Sequence, residues 1–215
     1  MYDIVFFDLD GTLTESAPGI TNSVAQALAK WNIKVEDLSE LNCFVGPPLK
    51  ESFMKYYDFS EEDAIRAVAE FRSYYAVKGL FENAVYEGIP ALLEQIKASG
   101  RKVMLATSKP EELSFRILEH FDLMKYFDEF AGATMDEKRT TKSEVIEYLL
   151  DKLPESERDV SKIVMVGDRE HDVKGAAAFG IDCIGVLYGY GDRPELEAAG
   201  AKYIAATPLE VFDFL

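Results

Sequence analysis

Ile4-Val5-Phe6-Phe7-Asp8-Leu9-Asp10-Gly11-Thr12 is the stretch that decides the fold class of this chain. A short, β-rich apolar run that ends in acids and then glycine reads as a buried strand delivering carboxylates to a turn at its carboxyl end. Open α/β sheets keep their active sites at that edge. Two acids one residue apart repel each other and lose solvation when buried, so Asp8 and Asp10 call for a cation or a shared proton. Carboxylate, carbonyl and water oxygens suit Mg²⁺. Asp and Gly are also common turn formers, so these residues alone fit a polar turn as well.

Outward from this strand, further β-rich runs lie at 103–106, 163–166 and 183–186, with weaker ones near Phe130-Ala131 and 203–205. Helical patterns alternate with them over 91–99, 111–120, 143–153 and 173–179, several bounded by Pro at the start or Gly at the end. Continuous apolar strands separated by amphipathic helices indicate a mostly parallel sheet covered on both faces. The stretch from Glu15 to Asn83 breaks the rhythm: it has helical periodicity at 20–31, 49–57 and 61–78 but no convincing strand. The expected architecture is therefore α/β, a Rossmann-like, doubly wound sheet with an inserted helical cap. The expected boundaries are 1–14 and 83–215 for the core and 15–82 for the cap. A helical insert straight after the first turn can act as a lid that excludes water and selects substrates; it also fits as part of one larger core.

Three more segments carry chemistry. Thr107-Ser108-Lys109-Pro110 follows an apolar run and opens a helix, so its hydroxyls and backbone N–H groups can cradle a phosphate. Ser108 could equally be an ordinary N-cap. Lys142, with Arg139 before it, could neutralise a phosphoryl group and a carboxylate together, although lysines are mostly solvated. Arg139 is a second candidate for that task or for a substrate contact. Gly167-Asp168-Arg169-Glu170-His171-Asp172 repeats the strand-to-carboxylate design, and Asp168 and Asp172 share a face if a helix begins there. Capping is the alternative for either acid, but one shared cation explains both strand ends. His171 reads as solvated or structural, and His120 as structural.

The chain has 215 residues, 48% of them hydrophobic, and a formal net charge of −16. That charge argues against a nucleic-acid polymer or an anionic membrane as partner, since both need clustered Lys and Arg. A small phosphate ester remains compatible. No apolar run approaches the ~20 residues that span a bilayer, and no leader pattern is visible, so a cytoplasmic protein is expected. Cys43 and Cys183 fit no metal spacing and read as small buried apolar residues in a reducing compartment. A monomer or weak homodimer is expected.

In this order and spacing the motifs Asp8-Leu9-Asp10-Gly11-Thr12-Leu13, Thr107-Ser108, Lys142, and Gly167-Asp168 with Asp172 resemble those of the haloacid dehalogenase superfamily. The helical insert is similar to the small cap of its phosphoglycolate phosphatase and β-phosphoglucomutase branch. The resemblance implies that Asp8 is a nucleophile forming an aspartyl-phosphate and that Asp10 protonates the leaving oxygen, then activates water. It further implies Mg²⁺ on the Asp8 carboxylate, the Asp10 carbonyl and Asp168, with Asp172 helping directly or through water. Thr107, Ser108 and Lys142, with Gly11, Thr12 and Arg139, would hold phosphate or substrate. An acid at Asp10 favours phosphate chemistry over dehalogenation, and Glu15-Ser16 stands where relatives carry Asp-Ser. Val45-Gly46-Pro47-Pro48-Leu49 with Ser52-Phe53, Arg139-Thr140-Thr141-Lys142 and Tyr188-Gly189-Tyr190-Gly191 look like the bacterial 5′-nucleotidase-like subgroup. The 46–49 loop could present N–H groups to the leaving group or be only a turn, and Tyr188 and Tyr190 could stack on a base or simply pack. The implied activity is a Mg²⁺-dependent phosphomonoesterase on a small metabolite, possible substrates being a nucleoside monophosphate or phosphoglycolate. A sugar phosphomutase and a silent binding protein on the same fold are the rivals.

Overall fold

Residue alternation along β1 (Ile4–Phe7) accounts for the layers of the fold, because all four residues are buried and successive side chains leave on opposite faces. The computed structural model describes residues 1–134 and 138–215. In chain order the further elements are β2 (Thr14–Glu15), α1 (Ala17–Ala29), α2 (Leu49–Tyr57), α3 (Glu61–Tyr75), β3 (Ala84–Val85) and α4 (Ile89–Ala98). They continue with β4 (Lys102–Pro110), α5 (Glu111–His120), β5 (Glu129–Ala133), α6 (Lys142–Lys152) and β6 (Ile163–Gly167). α7 (Glu170–Ala177), β7 (Asp182–Val186), α8 (Arg193–Ala199) and β8 (Tyr203–Ala205) complete the chain.

Contacts divide the chain into two compact units, Met1–Thr14 with Val85–Leu215, and Glu15–Ala84. In the first, six strands form a parallel sheet in the order β5-β4-β1-β6-β7-β8. The α/β, doubly wound class expected from the pattern is the class found. Ile4, Phe6, Met104, Ala106, Ile163 and Met165 face Val145, Ile146 and Leu149 of α6 and Val173 and Ala176 of α7. Val5, Phe7, Val103, Leu105, Val164 and Val166 alternate to the other face and are fully buried, where α4 and α5 pack against β4. Successive connections run outward from β1 on one side through β4 and β5, then resume on the other through β6, β7 and β8. That reversal puts the switch point of the sheet between the carboxyl ends of β1 and β6, with β4 on the other side of β1.

The second unit is helical. Trp31, Phe44, Phe53 and Phe59 form its aromatic centre, with ring centroids 5.0 Å apart for Phe44–Phe53, 5.8 Å for Phe53–Phe59 and 5.0 Å for Trp31–Phe59. Ser60 caps α3 by accepting from the Asp63 N–H, and Pro48 precedes the first turn of α2.

Several boundaries differ from the sequence expectation for identifiable reasons. α1 starts at Ala17 because Pro18 suits a first turn, and α7 starts at Glu170, earlier than the apolar pattern, because the polar first turn carries no hydrophobic signal. Asp168 therefore precedes the helix and does not share a helical face with Asp172. Ser108 is not an N-cap: β4 continues to Pro110, and Pro110 itself occupies the cap of α5. Cys183 is buried as expected, whereas Cys43 is partly exposed, its thiol 3.4 Å from the Glu40 carbonyl.

Candidate active site

Asp8 is the first residue beyond β1, and its N–H donates to the Val166 carbonyl at 3.0 Å, which ties the turn to the end of β6. From that neighbouring strand end comes Asp168, and from the first turn of α7 comes Asp172. Carboxylate oxygens of Asp8, Asp168 and Asp172 all lie within 4.8 Å of one another. Asp168 and Asp172 are 0% and 1% exposed, too dry for three like charges to stand together uncompensated.

Lys142, the first residue of α6, reaches into this group. Its Nζ lies 2.8 Å from Asp8 Oδ1 and 2.7 Å from Asp172 Oδ1, and it donates to the Ala106 carbonyl at 2.8 Å. The Thr141–Glu144 capping box sets where α6 begins and hence where Lys142 stands. Burial alone would lower the Lys142 pKa, but Asp172 and Asp8 outweigh it and hold the ammonium charged. Burial pushes the Asp8 carboxyl above the usual carboxylate range, with Asp172 adding to the rise and Lys142 opposing it. Asp168 is pushed well up by burial, then by the charges of Asp172 and Asp8. Three acids against one ammonium leave a surplus negative charge on convergent oxygen donors, which fits a hard divalent cation.

Asp172 also acts as a cap, since its Oδ2 accepts the Arg169 N–H at 3.1 Å. The capping and cluster readings thus describe one side chain with two oxygens in different uses. Asp168 is enclosed by backbone and by one hydroxyl: Tyr190 N–H donates to its Oδ2 at 2.8 Å, and Thr12 Oγ1 lies 3.4 Å from its Oδ1. A Cβ on Gly11, whose φ is +81°, would fall 2.1 Å from Asp168 Oδ2, and one on Gly191 2.0 Å from the Asp168 carbonyl oxygen. Gly11 and Thr12, expected at the phosphate, are thus found lining the seat of Asp168.

Asp10 is not one of the three clustered carboxylates and pairs with another cation. Both its oxygens accept from Lys109 Nζ, at 2.9 and 2.8 Å. Thr107 is 1% exposed and Ser108 half-buried, one strand over from Asp8 on β4, and Thr107 Oγ1 accepts the Lys109 N–H at 3.2 Å. Arg139, expected on phosphoryl or substrate, is held elsewhere. Its Nε donates to the Gly132 carbonyl at 2.8 Å, a terminal nitrogen meets Glu111 at 3.1 Å, and the guanidinium lies 3.8 Å over the Tyr148 ring. A planar cation beside a carboxylate and an aromatic face satisfies itself locally. His171 is exposed, and His120 stands edge-on to Phe121 at 4.8 Å.

Sequence reasoning assigned no role to Lys109, although a cation two residues beyond Thr107, beside a strand ending in acids, was a usable signal. Tyr188 and Tyr190, expected either to stack on a base or to pack, alternate with the glycines that close around Asp168. Tyr188 packs edge-on against Tyr86 at 5.1 Å, and its buried hydroxyl has no hydrogen-bond partner among the described residues.

Residues 5–186 match the family described as haloacid dehalogenase-like hydrolase. A 5′-nucleotidase of Pseudomonas aeruginosa is 44% identical over 198 residues, covering 92% of this chain and 88% of that protein. The crystal structure of a predicted phosphatase from Clostridium acetobutylicum is 50% identical, with a TM-score of 0.92 over 100% of this chain and 98% of that one. Protein Tyrosine Kinase A of Mycobacterium tuberculosis is 37% identical, with a TM-score of 0.83 over 99% of this chain and 97% of the solved one. With the carboxylates and lysine of its switch point so arranged, this chain belongs to the haloacid dehalogenase-like hydrolase family and is an enzyme of its phosphatase type.

Proposed function

We propose that this protein is a Mg²⁺-dependent phosphomonoesterase that acts through an aspartyl-phosphate on Asp8, with nucleoside 5′-monophosphates as its substrate class. The observation that carries the reading is Lys142 between Asp8 and Asp172 inside a three-carboxylate group. A carboxylate can attack an anionic phosphoryl group only where cations offset the repulsion. Lys142 supplies one such charge from within the chain. Asp8, Asp168 and the Asp10 carbonyl are the groups we assign to Mg²⁺, with Asp172 acting through water and through charge. When bound, the ion would neutralise charge on the phosphoryl oxygens.

In this scheme an Asp8 oxygen attacks phosphorus, and the ester P–O bond breaks with its electron pair going to the leaving oxygen. Asp10 gives that oxygen a proton. It then takes a proton from water, which attacks the aspartyl-phosphate, releasing inorganic phosphate and restoring Asp8. Thr107, Ser108 and Lys142 orient the transferring oxygens, and the helical unit of residues 15–84 is assigned the role of the cap that selects the leaving group. The nucleotide substrate rests on the similarity to the Pseudomonas aeruginosa protein named a 5′-nucleotidase.

The test is inorganic phosphate release from nucleoside monophosphates, phosphoglycolate and sugar phosphates, with Mg²⁺ or EDTA, for wild type and Asp8→Asn. Release confined to the nucleotides, dependent on metal and lost in Asp8→Asn, is the expected result. Preference for phosphoglycolate would replace the substrate while keeping the chemistry. Phosphoryl exchange between sugar phosphates without net release would point to a mutase, and no turnover of any ester would overturn the hydrolase reading.

A further inference from the structure

We infer that Lys109 is a positioning residue for Asp10, holding its carboxylate by a two-oxygen ion pair so that Asp10 can serve the leaving oxygen. The inference rests on the role proposed above for Asp10. Lys109 Nζ contacts both Asp10 oxygens, at 2.9 and 2.8 Å, and the two side chains are only 6% and 18% exposed. A lysine this deep is retained only where its charge is compensated, and here the compensating group is a carboxylate given a proton-transfer role. Contact with both oxygens fixes the rotation of the carboxylate as well as its place, which a single hydrogen bond would not do.

Local backbone geometry explains how a strand residue reaches that far. β4 pairs in register with β5 up to Ala106 opposite Ala131, and then Pro110 stands opposite Ala133, so four steps on β4 span two on β5. Such an irregularity re-aims side chains at the end of a strand. Thr107 Oγ1 accepts the Lys109 N–H at 3.2 Å and holds the distorted segment. On the β5 side Gly132 makes room, because a Cβ there would lie 2.8 Å from the Lys109 carbonyl oxygen and 2.6 Å from Glu111 Cα. β1 and β4 are adjacent and parallel, with Phe7 opposite Leu105. Asp10, three residues past Phe7 and beyond the end of β1, and Lys109, four residues past Leu105 in the irregular last part of β4, therefore stand on neighbouring strands at the same edge of the sheet.

Esters with different leaving groups separate this role from a purely structural one. An alkyl phosphate needs a proton delivered to its departing oxygen, whereas p-nitrophenyl phosphate releases a stable phenolate that hardly needs one. For Lys109→Met we expect kcat/KM to fall about tenfold or more on the alkyl ester, a fraction of what acid catalysis commonly supplies, and by less than about threefold on the aryl ester. Lys109→Arg should recover part of the alkyl-ester rate. In an Asp10→Asn background, Lys109→Met should cost little further, because residues acting through one another are not additive. Equal losses on both esters, or full additivity with Asp10→Asn, would overturn the assignment. Should Lys109→Met fail to fold, an Arg variant showing the same loss on both esters would overturn it equally. A wild type that turns over neither ester would instead sink the reading of the site on which the inference stands.

Discussion

Lys142 is the residue on which the electrostatics of the site turn. It offsets two of three clustered carboxylates, and removing it leaves those acids buried and uncompensated. Breaking a buried pair from one side commonly costs about 3–5 kcal/mol. Lys142→Met should therefore unfold at much lower urea in EDTA, and Mg²⁺ should restore part of the loss; equal urea midpoints for variant and wild type in EDTA would refute this. Far from the site, Tyr2 donates to Asp182 Oδ2 at 2.7 Å, and Lys202 bridges to both groups. Burial and the hydrogen bond to Asp182 push the Tyr2 phenol from its ordinary 10.0 up to about 12. A raised phenol stabilises the folded state in its protonated form, so this contribution is complete below pH 10 and is lost as pH rises towards 12. Tyr2→Phe should flatten that part of the alkaline fall in unfolding free energy, measured by urea titration across the window.

At the scale of elements, helix starts and strand ends place the chemistry. α6 begins where Thr141 Oγ1 accepts the Glu144 N–H at 3.3 Å and Glu144 Oε2 accepts the Thr141 N–H at 2.9 Å. Lys142 is the next residue after that cap. Thr141→Ala should cost about 1 kcal/mol of stability, read as a lower urea midpoint, and should slow phosphate release because fraying of the first turn moves the Lys142 ammonium. A variant that loses stability without losing rate would show that Lys142 is held by its carboxylate partners alone. The helical unit obeys the same kind of local rule around a separate aromatic centre. Phe53 is fully buried between Phe44 and Phe59. Phe53→Ala should cost about 3–5 kcal/mol there, visible as a lowered thermal midpoint.

For the whole molecule, the sheet gathers acids from distant parts of the chain, and folding therefore assembles a surplus negative charge that a bound cation would relieve. A ligand that binds only the folded state stabilises it. Mg²⁺ should raise the thermal midpoint of the wild type, and Asp168→Asn should abolish most of that rise; a rise unchanged in the variant would place the ion elsewhere. No helix among the described residues is long and apolar enough to cross a membrane. Fold class was legible in the sequence because it is written in local periodicity. Ile4–Phe7, Leu49–Tyr57 and Glu111–His120 are found with the bounds their apolar spacing and Pro or Gly punctuation indicate. The acids at the ends of β1 and β6 were legible too, since each follows an uninterrupted apolar run. Pairings across long separations were not. Lys109 meets Asp10 across 99 residues of chain, while Arg139, only three residues before Lys142, packs on Glu111 and Tyr148. Local spacing determined which residues could stand at a strand end or helix start, because propensity and burial act over a few residues. Which cation met which carboxylate was decided only by tertiary structure, because strand order and the irregular end of β4 set those distances.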